Sequence, residues 1–283
     1  MVESGRKLTI AAHAALILGV VVMVLPVWLA FVASTHPGTD FLTGRIGFMP
    51  GPGLVENYKE ALFTGSSVSG FPPVGPMLWN SFVMAMAIAV GKIAISLLSA
   101  FAICYFRFPF RVTAFWLIFI TLMLPVEVRI LPTFEVVADL GMLNTYSGLA
   151  IPLIASATAT FLFRQVFMTI PDELTEAARI DGAGPLRFFW SILLPLSRTN
   201  IAALFVILFI YGWNQYLWPL LVTTDQRYYT IVMGIQRLAA AAAEADPVWH
   251  LVMTTTILAM LPPVLVVIAM QRLFVKGLVE TEK

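Results

Sequence analysis

Six apolar runs, each about 20 residues or longer, constrain this chain more than any other feature of its sequence. A helix needs roughly 20 apolar residues to cross the hydrocarbon core of a bilayer. Only 12% of the 283 residues are charged and the mean hydropathy is +0.89, whereas soluble domains carry roughly 25% charged residues. We therefore predict an all-α integral membrane protein with six transmembrane helices. The predicted spans are Leu8–Ala33, Met77–Tyr105, Val112–Phe134, Tyr146–Phe167, Asn200–Val222 and Leu251–Val275.

The distribution of Lys and Arg predicts the orientation of these spans, because cytoplasmic loops carry the excess of positive charge. With the N-terminus inside, 11 of the 17 Lys and Arg residues lie on the cytoplasmic side, five lie outside, and Lys92 lies within a span. We therefore expect both termini to be cytoplasmic.

Two regions follow from this topology. Residues 1–76 contain the first span and an extracytoplasmic loop, and residues 77–283 contain a core of five spans with a cytoplasmic loop at 170–195.

A formal net charge of +1 provides no concentrated basic face, which excludes nucleic acid as a partner. The single cysteine, Cys104, and three widely spaced histidines do not have the spacing of a metal site.

The loop at 170–195 contains the pattern of a short helix. Pro171 suits a helix start, Asp172 and Glu173 place negative charge at the N-terminal end of the helix dipole, and Gly182 suits a helix end. The residues that share one face at helical spacing are Leu174, Ala177, Ala178 and Asp181. Because the two alanines let another backbone approach closely, we predict a docking helix.

Three bulky apolar residues, Phe188, Phe189 and Trp190, follow this helix in the loop. An exposed apolar patch in a loop marks a contact site for a partner. We therefore expect these three side chains to be exposed.

The loop resembles the EAA loop of permease subunits in binding-protein-dependent ABC importers. Glu176-Ala177-Ala178, then Gly182, then Ile192-Leu193-Leu194-Pro195 match the spacing of that motif. The resemblance implies a type I importer fold, a five-helix core plus an N-terminal span, in a bacterial inner membrane. It also implies that the loop forms a coupling helix on the ATPase. The contact residues carried over from the motif are Glu176, Ala177, Ala178, Asp181, Gly182 and Pro195.

Other stretches resemble particular branches of this family. The segment 212–219 is similar to carbohydrate-uptake permeases, and the segments 124–133 and 271–279 are most similar to the branch that takes up sn-glycerol-3-phosphate. The resemblance thus implies uptake of sn-glycerol-3-phosphate or glycerophosphodiesters, and the alternative substrate is a sugar or an oligosaccharide.

The resemblance also implies the partners. These are a second permease subunit, a dimer of ATPase subunits that holds ATP and Mg, and a periplasmic or lipid-anchored binding protein, with lipid around the spans. The chain lacks the G-x-x-x-x-G-K-[ST] phosphate loop, so it should bind no cofactor itself and should not be an enzyme. A stand-alone secondary transporter is the remote alternative, but no inverted hydropathy repeat is visible.

Several polar residues fall inside predicted spans, where ionisable groups are paired or functional. Lys92, Glu127 and Asn214 lie at a similar depth of about 22–24 Å from the cytoplasmic edge, by the helical rise per residue. In one interpretation, Lys92 and Glu127 form an ion pair capped by Asn214 or Gln215. In the other, Lys92 or Arg129 faces the substrate pathway and attracts a phosphate group.

The connection at 224–249 is predicted to lie outside the membrane. In the maltose importer, which belongs to the same family, the equivalent loop contacts the binding protein. The resemblance therefore implies that Tyr228 and Tyr229 are candidate contacts for the binding protein.

Overall fold

The computed structural model describes residues 6–65, 71–121, 126–244 and 248–280, excluding the side chains of 6–8, 126–127, 244 and 272–280. These residues form helices joined by turns and contain no β-strand. The helices are α1 Arg6–Ser34, α2 Gly38–Thr43, α3 Leu54–Lys59, α4 Val74–Tyr105, α5 Arg111–Ile120, α6 Val126–Asp139, α7 Tyr146–Ala150, α8 Ala157–Met168, α9 Asp172–Ile180, α10 Pro185–Phe188, α11 Leu194–Leu196, α12 Arg198–Trp213, α13 Leu217–Val222, α14 Ile231–Glu244 and α15 Trp249–Glu280.

Only some of the six predicted spans are single long helices. Three helices are long and apolar enough to cross a membrane: Thr9–Ser34, Val74–Tyr105 and Trp249–Gln271. Two further candidates are bent pairs: Tyr146–Leu153 with Ala157–Met168, bent by 50°, and Pro185–Leu196 with Arg198–Trp213, bent by 72°. By length and composition, the described residues therefore contain three candidate spans, or up to five if each bent pair is one span, and six stays a prediction.

The predicted third and fifth spans differ most from the structure. The third corresponds to α5 and α6, two shorter helices on either side of residues 122–125, which lie outside the described residues. The fifth is divided, because α12 ends at Trp213 and α13 begins at Leu217. An apolar run in a sequence thus does not fix whether its residues form one straight helix.

The chain divides into two compact units. One contains Met1–Pro76 and Gly234–Leu261, and the other contains Met77–Met233 and Pro262–Lys283.

In the first unit, polar groups hold the segment that follows α1. The Asn57 side-chain amide donates to the carbonyl oxygens of Ser34 (2.8 Å) and His36 (2.9 Å), and Thr254 Oγ1 donates to the same Ser34 oxygen at 3.2 Å. The imidazole of His36 lies 2.9 Å from an Asp40 carboxylate oxygen and 3.1 Å from the carbonyl oxygen of Met49. Buried backbone acceptors need such partners, and these side chains provide them.

In the second unit, α4 and α12 approach each other closely at Gly212. A Cβ atom at this position would lie 2.9 Å from Ala85 Cα, so only glycine allows the two backbones this spacing. The buried core beside this contact contains Met84, Ile88, Leu149, Trp218 and Val222. Trp218 Nε1 donates to the carbonyl oxygen of Gly148 at 3.0 Å, which satisfies its polar group inside the core.

Candidate functional site

The helix predicted for this loop is present as α9, and its C-terminus has the turn expected of Gly182. Gly182 has a φ of +69°, in the left-handed region. The Gly182 N–H donates to the Arg179 carbonyl oxygen at 3.0 Å, and the Ala183 N–H donates to that of Ala178 at 2.8 Å. This pair of bonds is a Schellman motif, which satisfies the last carbonyl groups of the helix.

Solvent exposure divides the predicted coupling residues into two sets. Ala178 is 5% exposed and packs against the protein, whereas the other predicted contacts are exposed. The exposed set is Glu176, Ala177, Asp181, Gly182 and Pro195. Ala178 therefore holds the helix on its own subunit, and the exposed residues form a surface on the loop.

The prediction that Phe188, Phe189 and Trp190 are all exposed is wrong for the first two. Phe188 is 5% exposed and Phe189 is 4% exposed. Their rings pack against the C-terminal end of α4, with Phe189 5.0 Å from Phe101 and Phe188 5.2 Å from Tyr105 between ring centroids. Aromatic packing of this kind contributes both apolar burial and ring–ring attraction, so these residues anchor the loop.

Four other large apolar side chains of the loop are exposed, and three of them have more than half of their surface exposed. Ile180, Leu186 and Trp190 have 85%, 70% and 64% of their surface exposed. Exposed apolar side chains close together in a loop are typical of a contact site for another protein. This surface and the exposed residues of α9 lie in the same loop.

A second feature is a cavity of about 840 Å³ beside α9, lined by the cytoplasmic-side arginines of the sequence prediction. Arg107, Arg111, Arg164 and Arg179 line it together with Asp172 and Glu176. The Arg164 guanidinium lies 4.4 Å from the centre of the Phe115 ring. This cavity is strongly polar. Its lining comes from the C-terminal ends of α4 and α8, the N-terminal part of α5 and the 170–195 loop.

The predicted polar layer inside the spans is only partly assembled. Lys92, Arg129 and Gln215 line one cavity of about 100 Å³. Asn214 is exposed at the C-terminal end of α12 and is not among the residues that line it. Glu127 lies in α6, but its side chain is outside the described residues, so its predicted pairing with Lys92 stays a prediction.

The cavity also contains residues that the sequence did not single out. Tyr211 and Thr133 line it, and the Lys92 ammonium lies 4.0 Å above the centre of the Tyr211 ring. Tyr211 is four residues before Gln215, a spacing that puts two residues on one face of a continuous helix, although α12 ends at Trp213. That spacing is the one sequence signal that links Tyr211 to the polar residues. It is a weak signal, because many aromatic residues in membrane spans pack without any polar role.

The connection after α13 is held in place by amide side chains. The Asn80 amide donates to the carbonyl oxygens of Arg227 (2.8 Å) and Tyr229 (2.9 Å), and the Tyr146 hydroxyl donates to the Asn80 oxygen at 2.6 Å. Tyr229 is 6% exposed, while the Tyr228 ring lies edge-on to that of Tyr146 with 5.6 Å between centroids. Of the two predicted contact residues, Tyr228 therefore presents more surface.

The ion pair next to these tyrosines lies at the surface. Arg227 Nη2 is 2.6 Å from an Asp225 carboxylate oxygen. Its hydrogen bonds lower the pKa of Asp225 and raise that of Arg227. Both side chains are consequently charged over the physiological pH range.

Comparison with known proteins identifies the family. Residues 92–280 match the family described as the inner membrane component of binding-protein-dependent transport systems. The chain belongs to this family. It is therefore a permease of an ABC importer in the inner membrane and not an enzyme, and the resemblance found in the sequence is confirmed.

Individual relatives are similar over their whole length. The sn-glycerol-3-phosphate transport system permease protein UgpE of Brucella melitensis biotype 1 is 60% identical over 283 residues, covering 100% of both chains. The protein of the same name from Agrobacterium fabrum is 58% identical and that from Salmonella typhi is 57% identical, again over 100% of both chains.

A solved structure shows the same fold. The crystal structure of a bacterial ABC transporter involved in the import of the acidic polysaccharide alginate matches with a TM-score of 0.75. The match covers 96% of this chain and 98% of the other at 20% identity. Type I permease architecture, expected from the sequence, is thereby confirmed.

Proposed function

We propose that this chain is a permease subunit of an ATP-driven importer that takes up sn-glycerol-3-phosphate or glycerophosphodiesters. The observation that carries the proposal is the 60% identity, over the full length of both chains, to a relative named for that transport. The transporter involved in the import of the acidic polysaccharide alginate shares the fold at only 20% identity.

The partners in this proposal are those of the family. A second permease subunit completes the translocation pathway, and an ATPase dimer holds ATP and Mg and supplies the energy. A periplasmic or lipid-anchored binding protein delivers the substrate. In the proposed topology the chain crosses the inner membrane six times with both termini in the cytoplasm, as the excess of Lys and Arg on that side favours.

The 170–195 loop is the proposed site of coupling to the ATPase. Glu176, Ala177, Asp181, Gly182 and Pro195 are exposed there. Ala178 supports the helix from its buried side. Closure of the ATPase would push on α9, and the anchoring of Phe188 and Phe189 against α4 would carry that movement into a membrane helix. The chain thus needs no ATP site of its own.

The connection that contains Tyr228 and Tyr229 is the proposed contact for the binding protein. Tyr228 would contact the partner, and Tyr229 would fix the backbone through the hydrogen bond from Asn80 to its carbonyl oxygen. The nearby ion pair of Asp225 and Arg227 is exposed and adds charge to this surface.

The proposal is tested with the complete complex in proteoliposomes. Uptake of labelled sn-glycerol-3-phosphate is measured with the cognate binding protein and with ATP inside. Unlabelled glycerophosphocholine, maltose and alginate oligosaccharide serve as competitors. We expect ATP-dependent uptake that the glycerophosphodiester reduces and the two saccharides do not. Uptake of a saccharide but not of the phosphate ester would refute the proposed substrate.

A further inference from the structure

The Lys92 side chain is a buried cation in the middle of a membrane helix. Only 7% of its surface is exposed, and it lies 13 residues before the end of α4, about 20 Å at the helical rise. Within the described part of the chain, the Tyr211 ring is the only group that stabilises the charge of its ammonium by direct contact. A cation–π contact offsets the cost of burying a charge only in part.

A second cation, Arg129 of α6, lines the same cavity as Lys92. Two positive charges that line one small cavity repel each other. None of the ion pairs among the described side chains involves either residue. An anion between them would balance both charges, and the cavity of about 100 Å³ is large enough for a small polar head group.

Three of the neutral hydrogen-bond donors around the cavity are already used inside the protein. Thr133 Oγ1 donates to the Arg129 carbonyl oxygen at 2.7 Å, the Gln215 amide to the Tyr211 carbonyl oxygen at 3.0 Å, and Trp218 Nε1 to the Gly148 carbonyl oxygen. The neutral donors left for a sugar hydroxyl are the Tyr211 hydroxyl and the second hydrogen of the Gln215 amide. The two cations remain, and a guanidinium presents paired N–H groups that match phosphate oxygens.

Arg129 is exposed at the surface of this chain, so the cavity opens outward from the subunit. A charged side chain at membrane depth does not face lipid without a large penalty, and it faces a partner helix or a water-filled path instead. The opening is thus placed where a solute between two permease subunits could reach it.

We propose that the cavity between Lys92 and Arg129 binds the phosphate group of the transported phosphate ester during its passage through the membrane. This inference rests on the proposed function. Phosphate of a lipid head group has the same chemistry as phosphate of the solute, and the experiment separates the two sources.

The test compares variants of the complete complex in proteoliposomes. Lys92→Met removes the charge and keeps the length, Arg129→Lys keeps the charge and removes the guanidinium, and Lys59→Met is a control at an exposed residue outside the cavity. Two quantities are measured: ATP hydrolysis stimulated by the loaded binding protein, and sn-glycerol-3-phosphate transported per ATP hydrolysed.

We expect Lys92→Met to lower the transport per ATP about tenfold or more while stimulated hydrolysis continues, with a smaller loss for Arg129→Lys and none for Lys59→Met. Equal loss of both quantities in Lys92→Met would indicate a structural role and overturn the inference, as would normal transport. If the unaltered complex does not move sn-glycerol-3-phosphate at all, the proposed function fails instead.

Two further arms address the alternatives. If Glu127→Gln reproduces the defect and the double variant Lys92→Met with Glu127→Gln restores transport, the pair is an internal ion pair and the inference is wrong. If the unaltered complex loses transport per ATP only in liposomes without anionic phospholipid, and Lys92→Met removes that dependence, a lipid phosphate occupies the cavity and the inference is likewise overturned. If the double variant does not restore transport, and if transport by the unaltered complex does not depend on anionic phospholipid, the results support binding of the substrate phosphate.

Discussion

Substitution of Gly182 provides a sharp test of how the coupling loop depends on its backbone. Gly182 has a φ of +69°, and a Cβ built there meets nothing within 4 Å. The cost of Gly182→Ala is therefore conformational and not steric. A left-handed conformation costs an L-residue roughly 1–2 kcal/mol, which corresponds to a reduction of about 5- to 30-fold in the ratio of native to non-native turn.

The chain contains a matched control two residues away. A Cβ added to Gly184 would likewise meet nothing within 4 Å, but the φ of −69° and ψ of 167° at this position are accessible to any residue. Gly184→Ala should consequently change activity by no more than about twofold, as for an ordinary surface substitution. Gly182→Asn is the second control, because asparagine visits the left-handed region more readily than alanine.

The assay is ATP hydrolysis stimulated by the loaded binding protein in the reconstituted complex, together with co-purification of the ATPase. We expect stimulated hydrolysis to fall by up to about 30-fold in Gly182→Ala, to recover largely in Gly182→Asn and to persist in Gly184→Ala. If the larger asparagine is worse than alanine, the position requires space against the ATPase and the backbone argument is refuted.

Three further predictions concern the anchors of the two units. Phe189→Ala should lower the free energy of unfolding by about 3–5 kcal/mol, because the Phe189 side chain is only 4% exposed. Thermal unfolding followed by circular dichroism measures this loss. The control Trp190→Ala should show no comparable loss, because Trp190 is 64% exposed. Asn80→Ala removes three hydrogen bonds worth roughly 1 kcal/mol each, so trypsin should cut after Arg227 faster than in the exposed control Gln226→Ala. The hydrogen bond to the Asp40 carboxylate raises the pKa of His36. Protonated His36 therefore stabilises the folded state. This contribution is complete below the unfolded-state pKa of His36 and is lost as pH rises through its folded-state pKa. Asp40→Asn should therefore lower the His36 pKa in an NMR titration and remove the loss of stability at rising pH. An unchanged His36 titration would contradict the interaction.

The sequence determined the class of the protein because hydropathy and motif spacing are local properties. The long apolar runs predicted α1, α4 and α15 nearly to their observed ends. Pro171 and Gly182 bracket α9 because proline and glycine restrict the backbone in a way that does not depend on the rest of the fold.

The positions of side chains in the 170–195 loop required the tertiary structure. Phe188, Phe189 and Trp190 are consecutive aromatic residues, and the sequence does not distinguish them. The first two are buried because Phe101 and Tyr105 of α4 lie beside them, whereas Trp190 points to another side of the same turn. The direction of each side chain follows from the helical phase of the π turn at Phe189–Leu193, which a sequence pattern does not reveal.

The polar residues inside the predicted spans also show what the sequence decides and what the tertiary structure decides. Counting residues along each span placed Lys92 and Asn214 at a similar depth, because depth depends only on the helical rise. Which of them share a cavity depends on the rotation of each helix and on where it ends. Since α12 ends at Trp213, Asn214 is directed away while Gln215 lines the cavity with Lys92 and Arg129. The sequence by itself thus determined that the chain is a membrane permease with charges inside its spans, and only the packing of α4, α6 and α12 decided that two of the cations lie together.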